Sequence, residues 1–146
     1  MTSSFVLDNS VSMAWLFSDQ GGVYVETVME SFLEKEAIVP GVWPLEVANI
    51  LSRAERHKII QKADSARFVA LLDSLPIQVI QESSQRIFAN ILDLSRTHGL
   101  TSYDASYLDL AMRQGIPLAT LDKKLRKAAH QAGVILFAAD QESPPL

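Results

Sequence analysis

Asp8, Glu46, Asp104 and Asp122 are the residues whose type and placement best suit chemistry. Asp8 directly follows the apolar run Phe5-Val6-Leu7, and Asp122 directly follows Pro117–Leu121. Glu46 opens a helical pattern two residues past Pro44, and Asp104 lies in the first turn of the helical stretch after Gly99. Carboxylates that converge repel one another and raise one another's pKa unless a cation neutralises them. An acidic pocket with no His or Cys ligands suits a hard cation, Mg²⁺ or Mn²⁺, which prefers oxygen donors and keeps waters that can be activated. The chemistry on offer is therefore that of a metal-activated water.

Each acid also has a plainer explanation. Asp8 and Asp122 suit helix N-caps, where a carboxylate satisfies orphan N–H groups. Thr101-Ser102-Tyr103-Asp104 reads as a capping box, with Asp104 reaching back to Thr101. Glu46 suits the positive end of a helix. The chain has 17 acidic residues, so most must be ordinary surface. Only the joint placement of these four calls for a cation.

That placement follows from the elements that carry them. Five short apolar runs read as strands: Phe5–Leu7, Ala37–Val39, Ile77–Ile80, Pro117–Leu121 and Val134–Phe137. Runs without polar alternation suit a parallel sheet covered on both faces. Helical stripes fill the gaps: Val47, Ile50, Leu51 and Ala54; Ile87, Ile91 and Leu94; Ala105, Leu108, Ala111 and Met112. The stretches Ser10–Lys35 and Trp43–Ser74 each have room for two helices, and Gly99, Gly115 and Gly133 sit where helices should stop. Strands alternating with helices predict a three-layer α/β/α sandwich with a central, mainly parallel sheet of about five strands. In such a sheet the strand C-termini and the helix N-termini after them share one edge, where ligands bind. Asp104 heads an inward-facing stripe through Tyr107, Leu108 and Ala111, so all four acids should meet there.

Composition narrows the setting. The 146 residues fit one domain spanning 1–146, and a chain of that size buries roughly 70% of its unfolded surface. With no cysteine, disulfides, thiolate catalysis and Cys-based zinc sites are excluded. No apolar run approaches the ~18 residues that span a bilayer, and the N-terminus lacks a signal-peptide pattern, so a cytoplasmic protein without membrane association is expected. A net charge of −4 argues against a sequence-reading DNA binder. It leaves room for a nuclease with local basic patches.

In four blocks the chain resembles the PIN-domain family, specifically the VapC toxins of toxin–antitoxin pairs. The blocks are Val6-Leu7-Asp8-Asn9-Ser10 with Ala14-Trp15-Leu16; Val39-Pro40 with Trp43-Pro44-Leu45-Glu46-Val47-Ala48-Asn49; Leu100 to Leu108 around Asp104; and Leu118-Ala119-Thr120-Leu121-Asp122-Lys123-Lys124-Leu125. The likeness runs from about Phe5 to Val134; within it, Ile59 to Gln85 matches only in helical character. It implies a PIN-like fold, Mg²⁺-dependent endoribonuclease activity on RNA such as tRNA or rRNA, a homodimer and a cognate antitoxin that blocks the site. Carried over by motif, Asp8 and Asp104 would be the main metal-binding acids, with Glu46 and Asp122 completing a catalytic quartet. Ser10 and Thr120 match small hydroxyl positions that orient a ligand water, or serve only as a cap hydroxyl and a strand-end Thr.

On that reading a cation held by Asp8 and Asp104 would activate water and polarise the phosphodiester; the roles of Glu46 and Asp122 stay open. Arg53, Arg56, His57 and Lys58, and Lys123, Lys124, Arg126 and Lys127, are candidate RNA contacts, or solvated helix faces. His57, His98 and His130 show no metal-ligand spacing and read as surface residues. Trp15 and Trp43 should pack in the core near the site. Three rivals place acids or folds similarly. A receiver-like domain wants an acidic pair after the first strand, but Asn9 follows Asp8. A haloacid-dehalogenase-like phosphatase wants Asp at position 10, which is Ser. A catalytically silent PIN-like protein-binding module would not need the intact quartet.

Overall fold

In the computed structural model, which describes residues 3–17 and 22–138, four of the apolar runs pair as strands. These are β1 (Ser4–Leu7), β2 (Glu36–Pro40), β3 (Ile77–Ile80) and β4 (Leu118–Ala119). They form one parallel sheet in the order β3-β2-β1-β4, with Val6 between Ile38 and Leu118. Phe5, Val6 and Leu7 are all buried, as continuous apolar runs require when helices cover both faces. Strand order reverses between β1 and β4, so their C-terminal ends flank the switch point where such sheets bind ligands.

Both gaps hold two helices. The first carries α1 (Asn9–Ala14) and α2 (Gly22–Ser31), the second α3 (Val42–Arg56) and α4 (Lys62–Ser74). After β3 the chain winds through α5 (Ser84–Arg86), a π-helical turn over Ile87–Ile91, and α6 (Leu92–His98). Then come α7 (Ser102–Gln114) and α8 (Lys123–Gln131). Gly99 and Gly115 end α6 and α7 in the left-handed region, at φ 63° and 64°, where a side chain would be strained. Of the predicted stripes, Val47, Leu51 and Ala54 are buried, as are Ala105, Leu108 and Ala111, whereas Ile87 and Met112 are exposed. Ile87 lines an apolar surface cleft beside Leu45 and Tyr103. Met112 lines a hollow beside Gly133 and Val134, just ahead of the short β4.

Two predicted strands are cut short. Pro117–Leu121 keeps only Leu118–Ala119, because side chains claim the peptide groups beyond: Arg126 Nε donates to the Thr120 carbonyl at 2.6 Å and Leu121 N–H donates to Ser10 Oγ. Val134–Phe137 contributes a single parallel bridge, Leu136 to Leu118. There the Phe137 carbonyl is taken by Tyr24 Oη, the Phe137 ring stacks on Phe5 at 4.1 Å, and Ala138 turns to φ 54°.

A buried ion network braces α7. Asp109, 3% exposed, accepts from Arg86 Nε and Nη2 at 3.1 and 2.8 Å and from Arg113 Nε at 3.1 Å. Glu82 pairs with both arginines. The network ties the segment after β3 to the helix whose first turn carries Asp104. No helix among the described residues is long and apolar enough to cross a membrane.

Candidate active site

The site is built from four chain turns. Asp8 leaves β1 in extended conformation and caps α1, its carboxylate accepting from Ser10 N–H. Its Oδ2 also accepts from Ser10 Oγ at 2.6 Å and Thr120 Oγ1 at 2.7 Å. Among the described residues no donor reaches Oδ1, so the carboxylate is fixed through one oxygen only. Ser10 and Thr120 are themselves committed: Ser10 Oγ accepts from Leu121 N–H at 2.9 Å and Thr120 Oγ1 from Asp122 N–H at 3.0 Å. The two hydroxyls therefore orient Asp8 directly and tie the end of β1 to the end of β4.

Asp122 caps α8, Oδ1 accepting from Leu125 N–H at 2.9 Å. Thr101 caps α7 by accepting from Asp104 N–H. The reciprocal half of the predicted capping box is missing among the described residues, which leaves the Asp104 carboxylate free for the site. Glu46 differs from expectation too. The helix begins at Val42, so Glu46 sits in its second turn, beyond the reach of unsatisfied N–H groups. What holds Glu46 is Tyr107, whose hydroxyl donates to Oε1 at 2.6 Å from a fully buried ring.

Electrostatics show which acids face one another. Burial pushes the Asp8 carboxyl upward; the Ser10 and Thr120 hydrogen bonds oppose this, and the charge of Asp122 adds to it. Burial raises Glu46 as well, opposed by the Tyr107 hydrogen bond and reinforced by Asp8 and Asp104. Asp104 is pushed up to about 6, first by burial, then by Asp8 and Asp122, with Lys124 acting in the opposite sense. Tyr107 is raised by burial and by the surrounding acids, so it stays a hydrogen-bond donor. The four predicted acids thus share one field, with Asp8 deepest at 4% exposed.

Among the described residues no three His, Cys, Asp or Glu side chains form a ready-made metal cage. The donor set nevertheless fits a hydrated hard cation. Mg²⁺ is commonly held through one or two carboxylates and keeps most of its waters, and here Asp8 Oδ1 and the Asp104 carboxylate have no donor among the described residues.

The basic residues divide by role. Arg126, a candidate RNA contact or solvated cation by sequence, instead braces the site through the Thr120 carbonyl and the Tyr24 ring, 4.9 Å away. Lys123, Lys124 and Lys127 are exposed, with Lys124 near Asp104. Arg53 and His57 line a hollow beside α3. Trp43 is buried and donates to Ser12 Oγ at 2.8 Å; Trp15 is half-buried, donating to the Val25 carbonyl. Sequence reasoning passed over Tyr107, which lay in plain view on the Asp104 stripe three residues on, the spacing of one helix face.

Comparison with known proteins is consistent with this geometry. The PIN domain family model matches residues 5–131. No curated protein matches the chain. Among solved structures, PAE2754 from Pyrobaculum aerophilum superposes with a TM-score of 0.65 at 22% identity, covering 88% of this chain and 87% of that one. VapBC2 from Rickettsia felis, solved bound to a DNA fragment from its promoter, gives 0.65 at 12% identity over 91% and 96%. A toxin–antitoxin complex from Klebsiella pneumoniae gives 0.58 at 20% identity over 84% and 88%.

Proposed function

The chain belongs to the PIN-domain family, whose members are generally nucleases, and on that footing we propose that it is a Mg²⁺-dependent endoribonuclease toxin of the VapC type. The observation that carries the reading is the shared field of Asp8, Glu46, Asp104 and Asp122 around an Asp8 oxygen that no donor among the described residues reaches. A structural cap needs no such convergence.

In this account Asp8 and Asp104 hold the cation, Mg²⁺ or Mn²⁺, which when bound supplies an acidified water and neutralises phosphoryl charge. Ser10 and Thr120 keep Asp8 from turning away. Glu46, steadied through Oε1 by Tyr107, uses its second oxygen to take the proton of the attacking water, a role its raised pKa suits. Asp122 stays tethered as a helix cap and contributes charge. Lys123, Lys124 and Lys127 draw in the RNA backbone.

The likeness to VapBC2 and to the Klebsiella pneumoniae toxin–antitoxin complex supports a cognate antitoxin as the partner that masks the acids. We extend the reading to a single PIN domain over 1–146, acting as a homodimer in the cytoplasm on tRNA or rRNA. The test is cleavage of end-labelled tRNA and rRNA fragments by the purified protein, in Mg²⁺ and in EDTA. Cuts that require Mg²⁺ support the proposal; intact RNA in both conditions sinks it and favours a silent protein-binding module.

A further inference from the structure

Beside the acids lies a cavity of about 370 Å³ that capping, core packing and cation binding leave unexplained. Met13, Phe17, Ile50 and Leu121 give it apolar walls, and Ser10 and Asp122 of the acidic site complete its lining. Asn9, immediately after Asp8, also lines it. This side chain is 6% exposed, and its buried Oδ1 has no hydrogen-bond partner among the described residues. An unsatisfied buried carbonyl costs stability that an apolar residue of the same size would avoid. The terminal torsion of Asn is broad, so rotation turns either the acceptor or the NH₂ toward the cavity.

We propose that this cavity is a nucleobase subsite, in which Asn9 reads the edge of the base flanking the scissile phosphate; the inference rests on the ribonuclease reading above. A base is a flat apolar body with donors and acceptors confined to its rim, which matches apolar walls with one unpartnered carboxamide. Its attached phosphate then falls beside Asp8 and Asp122. Past Phe17 and Ile50, which line both spaces, the surface continues into the hollow bordered by Arg53 and His57. That is a path on which the next backbone phosphate meets positive charge, whereas a purely apolar occupant would leave Asn9 unsatisfied.

The experiment has two arms. A randomised single-stranded RNA pool is cut in Mg²⁺ by wild type, Asn9→Leu and Phe17→Ala, and the cut ends are sequenced. Wild type should show a base bias at one position flanking the cut, which both variants flatten, with about tenfold loss on the preferred base, in the range of one lost base-edge contact. A wild-type profile without bias, or a bias kept by Asn9→Leu, overturns the subsite while leaving the nuclease reading intact. In the second arm, 2′-O-methyl RNA tetranucleotides are titrated with Ca²⁺ replacing Mg²⁺, and the Asn9 side-chain amide and Met13 methyl resonances are followed. Saturable, base-dependent shifts support the subsite even if wild type cuts nothing, in which case the ribonuclease reading alone fails. Shifts absent at saturating RNA overturn it.

Discussion

The Tyr107 hydroxyl, on a fully buried ring of α7, donates to Glu46 Oε1 on α3 at 2.6 Å. Asp104 and Tyr107 lie three residues apart on one helix, so a single element carries one acid and steadies another. Removing that hydroxyl tests whether Glu46 must be held. Tyr107→Phe should keep the fold, at a cost of about 1 kcal/mol for the lost bond. RNA cleavage should fall about tenfold or more, mainly in kcat, as expected for a base freed from its position. A loss confined to KM would contradict the role given to Glu46.

Thr120 has no exposed surface, donates to Asp8 Oδ2 and accepts from Asp122 N–H. Thr120→Val keeps the shape and removes both bonds, so urea unfolding should show destabilisation by about 1–3 kcal/mol. The Asp8 carboxyl, losing a bond that favours its charged form, should titrate at still higher pH. An Asp8 titration unchanged by the substitution, followed by NMR, would contradict this.

Asp109 stands between Arg86 and Arg113 with 3% exposure. Asp109→Leu leaves two partly buried guanidiniums without their main partner and should cost about 3 kcal/mol or more. Arg86→Met, which leaves the Arg113 pair in place, should cost less. Equal and negligible losses in denaturant titrations would show that the network does not brace α7.

The acidic site should make metal-free stability fall with rising pH. Asp104 has a folded pKa of about 6 against 3.8 for the free side chain, so the folded state binds its proton more tightly. The associated stabilisation is fully present below the unfolded value and is lost as pH rises through about 6. In EDTA, the melting temperature of wild type relative to Asp104→Asn should therefore decline between about pH 4 and pH 7. Adding millimolar Mg²⁺ at neutral pH should raise it, and less so in Asp8→Asn. A wild-type curve parallel to that of Asp104→Asn would rule out the shift.

Much of this arrangement was legible because it depends on local rules. Asp8 and Asp122 follow apolar runs whose cores do form buried strands, and Gly99 marks the turn before the Asp104 helix. The rest depended on contacts between distant segments. Asp109 and Arg113 are four apart and readable as a helix pair, but nothing local points Arg86 at them. Arg126 looked like one more surface cation in a basic helix; only the fold shows the Thr120 carbonyl beneath it. The shortening of β4 has the same origin, since Ser10 and Arg126 side chains replace the ladder. In the sequence Asn9 served only to set the chain apart from a receiver-like domain; its burial without a partner among the described residues depends on the packing of distant segments.

The most direct test of the central claim, that the four acids form one cation-dependent cleavage site, is RNA cleavage by Asp8→Asn and Asp104→Asn, each confirmed as folded by circular dichroism. Both should lose Mg²⁺-dependent cutting almost entirely, because each substitution removes a carboxylate that holds the cation while leaving its shape. Near wild-type Mg²⁺-dependent cleavage by both variants would contradict the account.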